Sequence, residues 1–110
     1  MKSSSPTRIL RELSRNKAFY FFTSVGNYTG HKAVSLEEFA AKIREIETSS
    51  LEFHLYREDF EKWADEVLED PELAERISAV KFLEPIGNAL RDQLDFAITK
   101  HLEELKSVKQ

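Results

Sequence analysis

Four side chains between positions 54 and 63 are the residues of this chain best suited to binding chemistry: His54, Arg57, Asp59 and Trp63. The four lie around a possible helix break, and a histidine at such a place could serve as a ligand or as a catalytic group. A Trp ring can anchor a partner protein. We therefore predict that these four are candidate binding residues, and we assign no catalytic residue.

Each of these residues also has a structural interpretation. His54 is flanked by Phe53 and Leu55, as expected of a half-buried histidine that hydrogen-bonds a nearby carboxylate. Trp63 lies on the apolar side of its predicted helix, where core packing is the main role expected and an exposed anchor is the alternative. Carboxylates are so abundant in this stretch that a solvated helix surface accounts for most of them.

No metal or catalytic motif is recognisable. None of His31, His54 and His101 has metal-type spacing to another histidine, so a zinc site would have to combine distant segments. His101 falls on the apolar stripe of the last predicted helix, which suggests a histidine at a helix interface. The chain has no cysteine, which excludes disulfides and thiolate ligands. We predict no metal, no cofactor and no enzymatic activity.

The composition predicts one small domain over residues 1–110, with residues 1–5 and 107–110 frayed. Hydrophobic residues make up 41% of the chain and charged residues 33%, which predicts narrow apolar stripes on highly charged helices. No stretch has the ~20 apolar residues of a membrane span or the apolar region of a secretory signal. We therefore predict a soluble, cytoplasmic protein.

Capping residues and apolar spacing predict a mainly α fold, a compact bundle of about five helices. The helix over about residues 36–46 is the best defined, because Ser35 and Glu38 form a capping box. The first helix is expected to start after Ser5 and to end near Asn16. A second capping box, formed by Ser49 and Glu52, predicts a helix that starts near Ser50. Two further helices are expected to start after Asp70 and at Pro85, and the last has an apolar stripe from Ile86 to Leu105.

Two segments allow more than one arrangement. Residues 50–68 fit either one continuous helix or two, and we favour a break near residues 57–59, after which Asp59 caps a new helix. Residues 18–24 contain four consecutive aromatics and predict an extended segment followed by a loop. A lone strand must pack on helices or pair with another chain, so a dimer is an option.

Charge is unevenly distributed. Residues 1–18 hold five Lys or Arg and one acid, whereas residues 35–75 hold four basic and fourteen acidic residues. The acidic middle opposes nucleic-acid binding, which requires clustered basic residues. The basic N-terminal residues are expected at a solvated helix end or against the chain's own acidic face.

The run FHLYREDFEKWADEVLEDPELAERI, with the segments FYFF, AVSLEEFAAKI and SSLEFHL, resembles a small, mostly archaeal domain family without an assigned function. The resemblance covers about residues 18–77. That family is found alone and fused to larger proteins, including trehalose-synthase-type glycosyltransferases. Its pattern favours glycine where this chain has Glu58 and Glu69, which weakens the argument for a break after Arg57. The resemblance provides no catalytic residues and implies a module used beside other activities.

Three hypotheses about function follow. The favoured one is a helical module for protein–protein interaction or regulation, which binds a protein partner or a second copy and has no catalytic activity. The first alternative is a sensor or accessory subunit for a carbohydrate-related small molecule, with Tyr28, Tyr56 and Trp63 as stacking residues. The second is a nucleic-acid-binding module that uses the basic N-terminus. We expect no membrane interaction.

Overall fold

Helices and one β-hairpin enclose a shared apolar core in the computed structural model, which describes residues 5–109. The elements are α1 (Pro6–Ile9), β1 (Phe19–Ser24), β2 (Asn27–Ala33), α2 (Leu36–Glu45), α3 (Thr48–Tyr56), α4 (Asp59–Lys62), α5 (Pro71–Phe82) and α6 (Gly87–Lys109). A 3₁₀ turn (Arg15–Lys17) precedes β1, and a π-helical turn (Trp63–Val67) extends α4. The predicted mainly α fold is confirmed. Within the described range, no helix is both long and apolar enough to cross a membrane.

The predicted extended segment forms β1, which pairs antiparallel with β2 rather than standing alone. Phe19 lies opposite Ala33, and the turn passes through Gly26, whose φ of +80° suits glycine. The predicted loop after β1 was therefore wrong. Strand β2 is difficult to recognise in the sequence because Ala33 is its only buried residue. It therefore lacks the alternation of apolar and polar residues that predicts a strand.

Aromatic rings fill the centre of the core. Phe19 and Phe21, which alternate along β1, are buried, and Phe19 packs on Phe39 of α2 and Phe60 of α4 with ring centroids 5.5 and 5.1 Å apart. Such tilted and edge-to-face contacts add to the free energy of apolar burial. Strand β1 thus attaches the hairpin to the helices through its buried face.

The N-terminal segment packs against the rest of the chain. Ile9 and Leu13 are buried, and the Leu13 amide donates to the Val34 carbonyl at 2.6 Å. The first helix was expected to reach Asn16, but α1 ends at Ile9, and the Leu13 amide bonds Val34 instead of the Ile9 carbonyl that a continuing helix would offer. Arg8 pairs with Glu69 at 2.7 Å, so one basic residue lies against the chain's own acidic face, as one of the two interpretations predicted.

Several helix boundaries differ from the sequence predictions. The Ser49–Glu52 capping box was wrong: α3 begins at Thr48, and the Glu52 carboxylate instead accepts from the Gly87 amide at 2.8 Å. Asp59 is the first residue of α4, and its carboxylate bonds His54 instead of capping the helix.

The last helix starts at Gly87 rather than Pro85, which leaves Ile86 exposed. Residues 107–109 have helical backbone, and the predicted fraying of the two chain ends stays a prediction, with residues 1–4 and 110 outside the described range.

Three glutamates adopt the left-handed conformation immediately after helical segments. Glu58, Glu69 and Glu84 have φ values of 69°, 61° and 56°, at positions where glycine is the usual residue. Glu58 follows α3, so the favoured break near residues 57–59 is confirmed.

Glu84→Gly should increase the free energy of unfolding by roughly 1 kcal/mol, because glycine adopts positive φ without the clash of a side chain. Urea denaturation followed by circular dichroism measures the change. Glu103→Gly is the matched control: Glu103 is also exposed but lies within α6, where glycine should cost roughly 1 kcal/mol. Equal destabilisation by both substitutions would show that the left-handed backbone at position 84 carries no strain.

Candidate functional site

His54 joins the hairpin to the α3–α4 break. It is 4% exposed, its Nε2 lies 2.8 Å from the Phe22 amide nitrogen, and its Nδ1 lies 2.8 Å from Asp59 Oδ2. The left-handed residue Glu58 interrupts the helix between His54 on α3 and Asp59 on α4, which are not on one face of a continuous helix. The predicted hydrogen bond of His54 to a nearby carboxylate is confirmed.

The two bonds define the state of the ring. Because the Phe22 amide can only donate, Nε2 accepts, and the proton of the neutral imidazole lies on Nδ1, which donates to Asp59. Burial lowers the pKa of His54, and the bond to Asp59 opposes that shift only in part. Both nitrogens are therefore engaged in hydrogen bonds that join α3 to β1 and to α4.

Arg57 lies beside this pair on an open groove. Its guanidinium carbon is 4.6 Å from the centre of the Phe53 ring, and its Nε is 3.5 Å from Asp59 Oδ2. The groove has a volume of about 350 Å³ and runs between the hairpin tip and α3, with Phe22, Val25, Phe53 and Arg57 among its lining residues together with His54 and Asp59. A half-exposed guanidinium over aromatic surface is suited to an anionic or aromatic group.

Trp63 does not line this groove. Its side chain is 6% exposed, its ring packs 4.8 Å from that of Phe39, and its Nε1 donates to the Lys17 carbonyl at 2.9 Å. The structure therefore brings His54, Arg57 and Asp59 together and places Trp63 in the core. The three proposed stacking residues for a sugar do not share one surface either, since Tyr28 packs on Phe22 of the hairpin and the Tyr56 hydroxyl donates to the Pro85 carbonyl.

A second surface, on α6, was missed by the sequence analysis. Phe96 is 70% exposed and projects from the side of α6 opposite the buried Leu94 and Ile98, because helical residues are about 100° apart. Asp92 and Lys100 lie four residues before and after it, on the same side. We call Asp92, Phe96 and Lys100 the outer face of α6. The apolar stripe of α6 predicts only its buried side. The sequence does contain a signal for the outer face, because Phe96 stands between the opposite charges of Asp92 and Lys100.

An apolar groove adjoins the outer face of α6. It has a volume of about 490 Å³ and is lined by both α5 and α6, including Val80, Leu83, Phe96 and Ala97. Phe82, Leu83 and Ile86, in and beside the α5–α6 connection, are all at least 66% exposed. Large apolar side chains clustered at one surface are unusual on a monomer and are typical of interaction sites.

Comparison with known protein families identifies the family of this chain. A family described as being of unknown function, DUF5752, matches residues 16–110. The chain belongs to the DUF5752 family. No curated protein and no solved structure matches it. The matched part of this DUF5752 member runs from β1 to α6 and contains both the groove beside Arg57 and the outer face of α6, whereas α1 precedes it.

Proposed function

We propose that this chain is a small protein-interaction module that self-associates, with the outer face of α6 as its contact surface. The observation that carries the proposal is the exposure of Phe96 midway between Asp92 and Lys100. Burial of such a ring against a second protein would remove a large apolar area from water. The proposal assigns no catalytic step to the chain and places it in the cytoplasm, consistent with a sequence that lacks cysteine.

The charge pattern favours a second copy as the occupant. Consider two α6 helices that pack antiparallel, with the two-fold axis of the dimer passing near Phe96. A residue a given number of positions before Phe96 in one subunit then lies opposite the residue the same number of positions after Phe96 in the other subunit. Asp92 would then face Lys100 of the partner subunit, and the partner's Asp92 would face Lys100. The two Phe96 rings would meet at the axis, so one surface is complementary to itself.

The neighbouring apolar residues extend this contact. Leu83 and Phe96 line the same groove between α5 and α6, and Phe82, which precedes Leu83 in the chain, is 85% exposed. A stable interface needs about 800 Å² from each partner, more than a single ring provides. We propose that the α5–α6 connection supplies the remaining apolar area.

Phe96→Asp should convert a dimer into a monomer, because it would place two carboxylates at the two-fold axis. Multi-angle light scattering after size-exclusion chromatography should give twice the mass of one chain for the wild type and a single-chain mass for the variant. A wild type that remains monomeric at the highest soluble concentration would refute the proposal.

A charge exchange tests the antiparallel geometry. Asp92→Lys and Lys100→Glu, each alone, should weaken the dimer because like charges then face each other across the interface. The double variant should restore it, since the pair is only reversed. Lys32→Glu is the matched control, an exposed charge reversal on β2, and should leave the mass unchanged. Failure of the double variant to recover would exclude this pairing even if the protein dimerises.

A further inference from the structure

His101 is a buried histidine with one nitrogen unsatisfied. The residue is 2% exposed, and its Nε2 lies 2.6 Å from Asp70 Oδ2, whose carboxyl group is also buried. The other oxygen of Asp70 caps α5 by accepting from the Leu73 amide at 3.2 Å. Within the described part of the chain, Nδ1 of His101 has no hydrogen-bond partner, although buried polar atoms normally do.

Two carboxylates lie next to this ring. A ring nitrogen of His101 and one oxygen each from Glu72 and Glu104 all lie within 4.8 Å of one another. Glu72 is on the first turn of α5. Glu104 follows His101 by three residues on α6, so His101 and Glu104 lie on the same side of α6. One imidazole and two carboxylates from two helices therefore converge.

We propose that His101, Glu72 and Glu104 bind a divalent first-row transition-metal ion such as Zn²⁺ or Co²⁺. Imidazole nitrogen with carboxylate oxygen is a common ligand set for these ions, and three protein ligands leave a coordination position for water. A bound imidazole usually donates its other N–H to a carboxylate, and Asp70 occupies that place. The nitrogen donor distinguishes the site from the all-oxygen sites that Ca²⁺ and Mg²⁺ favour.

Arg76 controls access to the two carboxylates. Its Nη2 lies 3.0 Å from Glu72 Oε2 and 2.8 Å from Glu104 Oε1. The guanidinium draws the two glutamates together across α5 and α6, but its positive charge opposes a bound cation. The ion and Arg76 therefore compete, so loss of the guanidinium should strengthen metal binding.

Titration with Zn²⁺ in a calorimeter, and with Co²⁺ followed by visible absorption, tests the site. Wild type should bind one ion per chain. Glu104→Gln and Glu72→Gln should each weaken binding by roughly a hundredfold or more, because loss of a direct ligand should cost at least as much as the ten- to hundredfold loss typical of outer-shell partners. Arg76→Gln should strengthen it by roughly tenfold, because an adjacent positive charge is removed.

Glu103→Gln is the matched control, since Glu103 is an exposed acid beside Glu104 that lies outside the cluster. Its affinity should equal that of the wild type. The glutamate variants keep the test valid even if His101→Gln fails to fold, because both glutamates are exposed. Absence of binding to both wild type and Arg76→Gln, or equal loss in Glu103→Gln and Glu104→Gln, would overturn the proposal. Phe96→Asp, which should abolish the proposed dimer, should retain the wild-type zinc affinity, so the two proposals can fail separately.

Discussion

Trp63→Ala should lower the free energy of unfolding by about 3–5 kcal/mol, the cost typical of removing a large buried aromatic side chain. The indole fills the space between Phe39 and Phe19, with ring centroids 4.8 and 5.6 Å away. Its removal leaves a cavity in the aromatic core and also leaves the Lys17 carbonyl without the Nε1 donor. Trp63 is the only Trp, so urea unfolding is best followed by circular dichroism.

Trp63→Phe is the matched control for cavity formation. It retains an aromatic ring but loses the Nε1 donor, so it should cost only about 1–2 kcal/mol. All variants should be compared at one protein concentration, because self-association would add to apparent stability. An unchanged unfolding midpoint for Trp63→Ala would contradict a core role and would favour the exposed-anchor interpretation.

His54→Phe should lower the free energy of unfolding by about 2–3 kcal/mol although it preserves a ring of similar size. The substitution removes the acceptor of the Phe22 amide and the donor to Asp59, and an unsatisfied buried amide costs about 1–3 kcal/mol. Asp59 is partly exposed, so water can replace its bond. Equilibrium urea unfolding near pH 7.5 isolates this effect from histidine protonation.

The same residue should make stability depend on pH. Burial lowers the pKa of folded His54 below 6.5, so near that pH the unfolded chain binds more protons than the folded chain. The free energy of unfolding should therefore be highest above pH about 6.5 and should fall as the pH decreases towards the folded-state pKa. Urea unfolding at a series of pH values between 5 and 8 measures this dependence.

Two variants separate the causes. His54→Phe should lose the part of the pH dependence that belongs to this imidazole, whereas His31→Gln, which removes a different imidazole, should retain it. Asp59→Asn keeps an oxygen acceptor for Nδ1 and should be less destabilising than His54→Phe. If His54→Phe and wild type had the same pH dependence, protonation of His54 would not be linked to folding.

The helices were predictable where local capping and apolar spacing agree. Ser35 and Glu38 mark the start of α2 by their own side chains: the Ser35 hydroxyl accepts from the Glu38 amide, and the Glu38 carboxylate accepts from the Val34 amide. Asp70 and Pro71 likewise mark the start of α5. Such boundaries depend on residues three or four positions apart, which a sequence displays directly.

The remaining features depend on contacts between distant residues. Strand β2 forms because β1 lies beside it, and Glu52 bonds the Gly87 amide, 35 positions away, instead of capping its own helix. Among the candidate binding residues, a hydrogen bond of His54 to a nearby carboxylate was predictable, but its pairing with Asp59 depends on the helix break at Glu58. The bond from Phe22 and the convergence of Glu72, His101 and Glu104 were not predictable, because they require the packing of separate elements.

The bond between Phe22 and His54 has a consequence for aggregation. The outward-facing amide of a strand can recruit a strand from another molecule, which is a common route to β-sheet aggregates. Here the His54 imidazole accepts a hydrogen bond from the Phe22 amide. A side chain therefore satisfies the edge of β1 at the point where a neighbouring strand would otherwise bind. Because His54 is itself 4% exposed, this position of β1 is closed to a strand from another molecule while the fold is intact.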